Sequence, residues 1–325
     1  MSKALGLISG GLDSGLAAMA LMRQGIEVTG ISFVTPFFGS DKAKKSAEAI
    51  GYPLIIEDIG AIHLEMVKTP QYGYGRNMNP CIDCHAMMFR LAGERMDKDG
   101  FDFLFSGEVL GQRPKSQNPN ALKSVAKLSG FANRVLRPLS AKLLPITPME
   151  ESGIVDREQL LDIHGRSRKR QQALAKEWGY LDYPESGGGC LLTEEGFSNQ
   201  LRDLLSHDPE ATVADVELLK TGRQFRLSST AKLVVGRHKA DNEALQQLAQ
   251  PGQIKFHCLN FRGPLGVFCG KPTPADVHLA AEIVATYGKG KDESTVEVLC
   301  MTDQDQSTIV VTPMPREHSQ KLLLR

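Results

Sequence analysis

The stretch that decides the fold lies near the N-terminus, where residues 4–14 read Ala4-Leu5-Gly6-Leu7-Ile8-Ser9-Gly10-Gly11-Leu12-Asp13-Ser14. It begins as a short apolar run that ends in a glycine turn, as a buried parallel strand does. Residues 14–24 follow with helical periodicity, and residues 26–33 are rich in β-branched side chains. A strand, a loop, a helix and a second strand predict the start of an α/β fold with a parallel sheet.

The loop from Ser9 to Ser14 has the composition of a phosphate-binding turn. Gly10 and Gly11 let backbone N–H groups approach an anion, and the helix that follows adds the positive end of its dipole. Ser9 and Ser14 supply hydroxyl donors, and Asp13 is a carboxylate suited to a Mg²⁺ ion that bridges phosphates. The Walker A ending and the dinucleotide pattern G-x-G-x-x-G are absent. An ordinary glycine turn is the alternative interpretation.

The string Ser9-Gly10-Gly11-Leu12-Asp13-Ser14 resembles the pyrophosphate-binding loop of the N-type (PP-loop) ATP pyrophosphatases, which include GMP synthetase, argininosuccinate synthetase and the tRNA thiolases. Those enzymes cleave ATP to AMP and pyrophosphate by adenylating a carbonyl oxygen of their substrate. The resemblance implies an adenine nucleotide alpha hydrolase-like domain over residues 1–190, with ATP and Mg²⁺ as its ligands. It also implies that Ser32 and Phe33, at the end of the second strand, hold the adenine.

A second string, residues 106–117, reads SGEVLGQRPKSQ and resembles the Gly-Glu-x-Leu-Gly-Gln segment of the 4-thiouridine synthetases. Residues 136–139 likewise resemble their Arg-Pro-Leu segment. A glycine directly after a strand lies at the carboxyl edge of an α/β sheet, where such sheets bind ligands. Lys115 is predicted to neutralise phosphate charge as a point cation, with a basic surface loop as the alternative. The resemblance implies a nucleotide and activated-base site lined by Gly107, Gln112, Ser116 and Gln117.

Three of the six cysteines form the next candidate group. Cys81 and Cys84 are a C-x-x-C pair at a predicted helix start, a position that lowers thiol pKa, and Cys190 follows the glycines at 187–189. The spacing resembles that of tRNA thiolases that hold a [4Fe–4S] cluster, which implies Cys81, Cys84 and Cys190 as its ligands. Zinc with His85 as a further ligand, a cysteine persulfide with a disulfide partner, and inert core thiols stay open. We expect core positions for Cys258, Cys269 and Cys300.

Basic residues cluster although the formal net charge is zero, with 38 Lys and Arg against 38 Asp and Glu. The stretch from Val109 to Met149 contains no acidic residue, and a second basic cluster over residues 166–170 is predicted to lie on a helix that runs to Trp178. Lys and Arg hold RNA phosphates, so these patches predict a tRNA-binding surface. Its predicted members are Arg113, Lys123, Lys127, Arg134, Arg168, Lys169 and Arg170.

The predicted pattern of secondary structure changes after residue 190. Residues 191–224 are predicted to be a helical connector, and residues 225–325 have the pattern of a small α+β domain. The strings Val235-Gly236-Arg237 and Pro251-Gly252, within residues 225–302, resemble segments of the RNA-binding domain of the NFACT proteins. The resemblance implies RNA contact by Arg237 and Lys239. Loop charges in a packing domain are the alternative. The 4-thiouridine synthetases usually carry a THUMP-type module before the catalytic domain; Ser9 lies near the first residue, so we expect either that the C-terminal domain captures RNA instead or that the substrate is a different one.

Together these patterns predict an ATP-dependent tRNA sulfurtransferase, a tRNA-modification enzyme with Asp13, Cys81 and Cys190 as catalytic residues. It would adenylate a uridine and then transfer sulfur from sulfide or a persulfide carrier. The alternatives are a PP-loop ATP pyrophosphatase that acts on a small molecule and an ATP-binding RNA-binding protein without turnover. Without a long apolar run or a signal peptide, the expected location is cytoplasmic, with no membrane partner. A homodimer is left open.

Overall fold

The structure is a computed structural model that describes residues 1–184 and 189–325. It divides into two compact units, Met1–Thr193 and Glu194–Arg325. Gly187 and Gly188, which belong to the predicted glycine-rich loop, lie outside the described residues. In the ranges that are described, no helix has the length and hydrophobicity that crossing a membrane requires.

The first unit is built on a parallel sheet of five strands in the order β3-β2-β1-β4-β5. These are β1 (Lys3–Leu7), β2 (Glu27–Val34), β3 (Leu54–Asp58), β4 (Phe103–Ser106) and β5 (Val135–Leu136). Strand β1 pairs with β2 on one side and with β4 on the other. The chain therefore reverses its direction of strand addition between β1 and β4, and the carboxyl ends of those two strands flank the crevice where α/β sheets bind ligands.

Helices pack on both faces of this sheet because successive strand residues point to opposite sides. Ala4 lies in one apolar cluster with Leu16 of the first helix, while Leu5 lies in a second cluster with Phe89 of the fourth. The helices are α1 (Leu12–Met22), α2 (Asp41–Ile50), α3 (Gly60–Lys68), α4 (Cys81–Asp99), α5 (Pro119–Ser129), α6 (Pro148–Glu151) and α7 (Lys169–Glu177).

The second unit has an antiparallel sheet in the order β11-β10-β8-β9-β7-β6. Its strands are β6 (Arg223–Ser228), β7 (Ala231–Val235), β8 (Ile254–Cys258), β9 (Gly266–Gly270), β10 (Val296–Met301) and β11 (Gln306–Val311). Its helices are α8 (Glu195–His207), α9 (Val213–Leu219), α10 (Lys239–Leu248), α11 (Pro274–Thr286) and α12 (Arg316–Lys321). Helices α8 and α9, in the segment predicted to be a connector, belong to this unit.

The predicted fold class, a parallel α/β domain followed by a small α+β domain, is confirmed. Cys258 and Cys300 are buried as expected, whereas Cys269 is only half-buried.

Helix α5 was not predicted, because the stretch that contains it was interpreted as a basic surface. Its start carries a readable signal: the Asn118 side chain accepts a hydrogen bond from Ala121 N at 2.9 Å, and Pro119 occupies the first turn.

Candidate active site

The glycine loop joins β1 to α1 at the crevice. Gly10 has φ +74°, and a Cβ there would lie 2.1 Å from the carbonyl carbon of Lys42, so glycine is required for both conformation and space. Gly11 is the N-cap of α1 and offers no side chain to the first-turn N–H groups. The Ser14 hydroxyl donates to Gly11 O at 2.9 Å and lies 3.4 Å from Ser9 Oγ. The loop thus leaves a helix N-terminus open beside two hydroxyl groups, an arrangement that suits phosphate.

Asp13 is the centre of a polar network that three separate segments build. Its Oδ2 accepts from Gln112 Nε2 at 2.7 Å and from Arg168 Nη2 at 3.3 Å. Gln112 Oε1 in turn accepts from Gln171 Nε2 of α7 at 2.9 Å. The other carboxylate oxygen, Oδ1, is buried and accepts no hydrogen bond from any residue that the structure describes. One oxygen of Asp13 is held in place while the other is left for a ligand.

Gly107 brings the β4 edge into contact with this loop. A Cβ on Gly107 would lie 2.4 Å from Ser14 N and 2.5 Å from the carbonyl carbon of Asp13. Contacts that short do not occur in folded proteins, so the close approach depends on glycine. The two strings that the sequence singled out therefore meet backbone to backbone at the crevice.

A buried ion pair lies directly after β4 and β5. Glu108 Oε2 accepts from Arg137 Nε at 2.9 Å and its Oε1 lies 3.0 Å from His85 Nδ1. Burial raises the pKa of Glu108, but the charge of Arg137 and the hydrogen bond from His85 outweigh it and lower that pKa to about 2. Arg137 Nη2 is buried without a hydrogen-bond partner among the described residues. Sequence reasoning assigned no role to Glu108, and it placed Arg137 in the basic stretch expected to hold tRNA, whereas the structure pairs Arg137 with the buried Glu108.

The cysteine pair begins α4. Cys84 Sγ lies 3.2 Å from Nε2 of His63, a fully buried residue of α3. Asn79 Nδ2 donates to Cys81 Sγ at 3.2 Å. Burial is the main cause that raises the pKa of Cys84 well above its usual range, and nearby Cys190 and Cys81 raise it further. Burial also lowers the pKa of His63 to about 4, so this imidazole is neutral at pH 7. The structure brings the three predicted cysteines into one neighbourhood.

That neighbourhood is not a metal site as the residues stand. Within residues 1–184 and 189–325, no group of three or more His, Cys, Asp or Glu side chains is arranged to hold a metal ion. The predicted [4Fe–4S] cluster and its zinc alternative therefore do not fit the observed placement of the thiols.

Other predicted residues fall in three groups. Ser32 and Phe33 are buried at the end of β2, the latter within the apolar cluster of Leu5. Ser116 and Gln117 are buried, and Gln117 Oε1 accepts from Arg113 N at 3.1 Å, so they shape the loop. Exposed on the surface of the first unit are Arg113, Lys115, Lys123, Lys127, Lys169 and Arg170.

Several predicted RNA contacts are engaged with acids. Arg134 pairs with Asp97 and Arg170 with Asp162. Arg168 forms an ion pair with Asp13 in the crevice and is not on an open surface. In the second unit, Arg237 pairs with Asp241 and the exposed Lys239 lies 3.6 Å from Glu243.

These features are typical of a nucleotide-phosphate site in an α/β domain: an open helix N-terminus, a carboxylate with one oxygen that has no partner among the described residues, and a reversal of strand order. Comparison with known proteins agrees with this class. Residues 1–142 match the family described as thiamine biosynthesis protein (ThiI), and residues 222–323 match the NFACT protein RNA binding domain. The chain thus resembles the ThiI family in its first 142 residues and an NFACT-type RNA-binding domain over residues 222–323.

Individual relatives share part of the chain. It is 31% identical over 142 residues to a "Probable tRNA sulfurtransferase" of Staphylococcus aureus strain MRSA252, an alignment that covers 42% of this chain and 34% of the relative. The chain therefore matches about a third of the length of that curated relative. A 4-thiouridine synthetase–RNA complex with bound ATP superposes with a TM-score of 0.35 and 20% identity, over 55% of this chain and 52% of the other. A predicted tRNA methyltransferase subunit from Methanocaldococcus jannaschii gives 0.35 and 16%, over 55% and 76%.

Proposed function

We propose that the protein is an ATP-dependent tRNA sulfurtransferase. The observation that carries the proposal is the convergence of Gln112 and Arg168 on Asp13, at the strand-order reversal of a segment that matches the ThiI family. The neighbouring thiols of Cys81, Cys84 and Cys190 support the sulfur-transfer half, and the RNA-binding-type domain supports tRNA as substrate. We expect the enzyme to act in the cytoplasm.

ATP is proposed to bind with its phosphates on the loop. The open N–H groups at the start of α1, together with the hydroxyls of Ser9 and Ser14, donate to phosphate oxygens. Asp13 is the residue that would hold Mg²⁺, since its buried Oδ1 has no hydrogen-bond partner among the described residues; the ion would neutralise phosphate charge. Arg168, 3.3 Å from the same carboxylate, lies where it can contact phosphate oxygens. Ser32, Phe33, Gly107 and Lys115 remain predicted nucleotide contacts.

The proposed reaction has two displacement steps. In the first, a uridine carbonyl oxygen bonds to the α-phosphorus, the bond to the bridging oxygen breaks, and pyrophosphate leaves. Positive donors near Asp13 stabilise the negative charge that develops on the phosphate. In the second, a sulfur nucleophile bonds to the activated ring carbon, the carbon–oxygen bond breaks, and AMP leaves with that oxygen.

Cys190 is the proposed carrier of the sulfur. A persulfide on Cys190, formed when its thiolate takes the terminal sulfur of a persulfide carrier and the carrier's thiolate leaves, would bond to the ring carbon through that terminal sulfur. A thiolate of the Cys81/Cys84 pair would then attack the Cys190 sulfur, break the sulfur–sulfur bond and leave a disulfide. An external thiol would reduce that disulfide with two electrons. Because the thiols do not form a metal-ligand set, we route no step through a cluster.

The test is thionucleoside formation from tRNA, ATP, a persulfide donor and a reducing thiol, read by mass spectrometry. Asp13→Asn and Cys190→Ser should each abolish product, while their matched controls Asp162→Asn and Cys269→Ser should leave it intact. Arg168→Ala should reduce activity more than Arg170→Ala, since only Arg168 contacts Asp13. Thiolation that survives both Asp13→Asn and Cys190→Ser would refute the mechanism. Pyrophosphate release without tRNA would favour a small-molecule substrate, and ATP binding without AMP formation would favour a non-catalytic RNA-binding protein.

A further inference from the structure

Two arginines of the second unit lie against one tyrosine ring, and a third arginine lies near one of them. Tyr287 follows α11, and the Arg223 guanidinium at the start of β6 lies 4.6 Å from its ring centroid. The guanidinium of Arg316, the first residue of α12, lies 5.5 Å from the same centroid. Arg237, after β7, is an electrostatic neighbour of Arg223. Stacking on an aromatic face fixes a guanidinium in orientation and leaves its edge N–H groups available.

We call Arg223, Arg237, Arg316 and Tyr287 the Tyr287 cluster. Its arginines outnumber the acidic side chain, Asp241, that pairs with one of them. Both carboxylate oxygens of Asp241 accept hydrogen bonds from Arg237: Oδ2 from Nε at 2.7 Å and Oδ1 from Nη2 at 3.2 Å. Arg223 donates to the carbonyl of Gly236 at 3.3 Å, a neutral partner. Burial lowers the pKa of Arg223, and the charges of Arg316 and Arg237 lower it further. The positive charges of these arginines repel one another, and a bound anion would relieve that repulsion.

We propose that Arg223 and Arg316, oriented by Tyr287, bind a phosphodiester of the RNA substrate. Planar guanidinium groups match phosphate geometry in a way that lysine does not. Arg316 is exposed and Arg223 and Tyr287 are half-buried, so the cluster is an open surface. Open surfaces suit an extended polyanion, which gains affinity from many separate contacts, whereas small anions are usually enclosed. All members lie within residues 222–323, the range that matches an RNA-binding domain.

This inference deepens the proposed function, on which the identity of the RNA as tRNA rests. It also changes the assignment of contacts in this domain. Arg237 is predicted from sequence, but its guanidinium is already bound to Asp241, so we assign it a supporting electrostatic role. Arg223 and Arg316, 93 positions apart in sequence (316 − 223), were not singled out because only the fold brings them to one ring.

The experiment measures tRNA binding to the full chain by fluorescence anisotropy, without ATP, across a range of salt. Arg316→Ala should weaken binding about tenfold, as expected for a charged hydrogen bond. It should also reduce the slope of log Kd against log salt by about 0.7 to 0.9, the contribution of one phosphate contact. The matched control is Lys271→Ala: Lys271 is exposed and follows β9 at the Ala231 end of β7, while Arg223 pairs with Val235 at the other end.

Two tyrosine variants separate charge from orientation. Tyr287→Phe keeps the ring and should bind tRNA like the wild type. Tyr287→Leu keeps every charge but removes the stacking surface, and it should weaken binding by a factor similar to that of Arg316→Ala. Thermal unfolding of each variant checks that the domain stays folded, and the exposed Arg316→Ala change keeps the test valid if Tyr287→Leu does not fold.

The outcomes are distinguishable. Equal tRNA affinity and salt slope for Arg316→Ala and wild type, or an equal loss in Lys271→Ala, would overturn the proposal. Competition by an acidic peptide as strong as that by tRNA would also overturn it, in favour of a protein partner. If the wild type forms no thionucleoside but Arg316→Ala still loses RNA affinity, the proposed enzymatic function fails while the binding site stands.

Discussion

Glu108 illustrates how a single residue can organise the region beside the glycine loop. Its carboxylate joins β4 to Arg137 after β5 and to His85 in the first turn of α4, so three elements meet on one side chain. Arg137 and Glu108 are both at least nine-tenths buried, with side-chain exposures of 10% and 7%. A buried ion pair contributes little relative to apolar residues, but the loss of one partner leaves an uncompensated charge. Removing Glu108 alone should therefore cost more stability than the intact ion pair contributes.

We expect Glu108→Gln to lower the free energy of unfolding by about 3 kcal/mol at pH 7, because it leaves the buried Arg137 charge without a negative partner. The folded pKa of Glu108 is lowered to about 2 from an ordinary value of 4.5, so its stabilisation is complete above pH 4.5 and is lost as pH falls toward 2. The gap between wild type and variant should shrink by about 1 kcal/mol between pH 7 and pH 4. Urea unfolding at both pH values measures it.

The control for that experiment is Glu158→Gln, since Glu158 also pairs with a cation, Lys142, but its side chain is 87% exposed. We expect a change within about 0.5 kcal/mol. Equal destabilisation by the two substitutions, or a gap that widens toward acid pH, would contradict the assigned role of the buried pair.

At the same scale, the sequence indicated candidate residues but not the side chains that contact them. Asp13 was assigned a phosphate-site role from the loop string alone, and the structure places it in the crevice. Arg168 was assigned to RNA because it lies in a run of basic residues, yet it contacts Asp13, which is 155 positions away. A charge run reports composition, whereas the partner of one arginine depends on how α7 docks, and no local pattern encodes that.

At the scale of elements, the loop after β1 and the turn after β4 are built as one unit. Gly107 approaches the backbone of Asp13 and Ser14 more closely than any side chain permits. Helix α7 adds Gln171, which is fully buried and reaches Asp13 through Gln112. The phosphate loop is thus supported from two directions by elements distant in sequence, and its geometry depends on both.

Gly107→Ala tests this coupling. The added methyl group would lie 2.4 Å from Ser14 N, so the loop and the start of α1 must shift. We expect a loss of about 1 to 3 kcal/mol in stability and at least a tenfold weaker ATP affinity, measured by thermal unfolding and calorimetry. Gly39→Ala is the control, because no heavy atom lies within 4 Å of its added carbon. Unchanged ATP affinity in Gly107→Ala would show that the two segments are not coupled.

Elements with strong local signals were predicted from sequence, and those without were missed. The β1-loop-α1-β2 unit follows from an apolar run, glycines and periodicity, and the structure has it at Lys3–Leu7, Leu12–Met22 and Glu27–Val34. Strand β11 (Gln306–Val311) was missed because it reads QSTIVV and most of its residues are exposed, as on the edge of a sheet. Its pairing with β10, not its composition, makes it a strand.

At the scale of the whole molecule, charge is distributed in patches on a chain whose formal net charge is zero. Arg113, Lys123 and Lys127 are exposed in the first unit, and the Tyr287 cluster lies in the second. Binding of a polyanion by such a chain depends on these patches and not on overall attraction. Each unit therefore carries a basic surface of its own, and the proposal that both contact RNA rests on these surfaces.

Each unit also has its own core, which predicts that the second unit folds by itself. Phe225, Phe256 and Phe268 are fully buried there against α11, within a complete six-stranded sheet. Burial of that apolar area in a domain of this size is sufficient for independent stability. We expect residues 194–325, expressed alone, to unfold in one cooperative thermal transition and to bind tRNA without ATP. A fragment that lacks a cooperative transition, or a folded one with no tRNA affinity, would place the stability or the RNA affinity of the chain outside this unit.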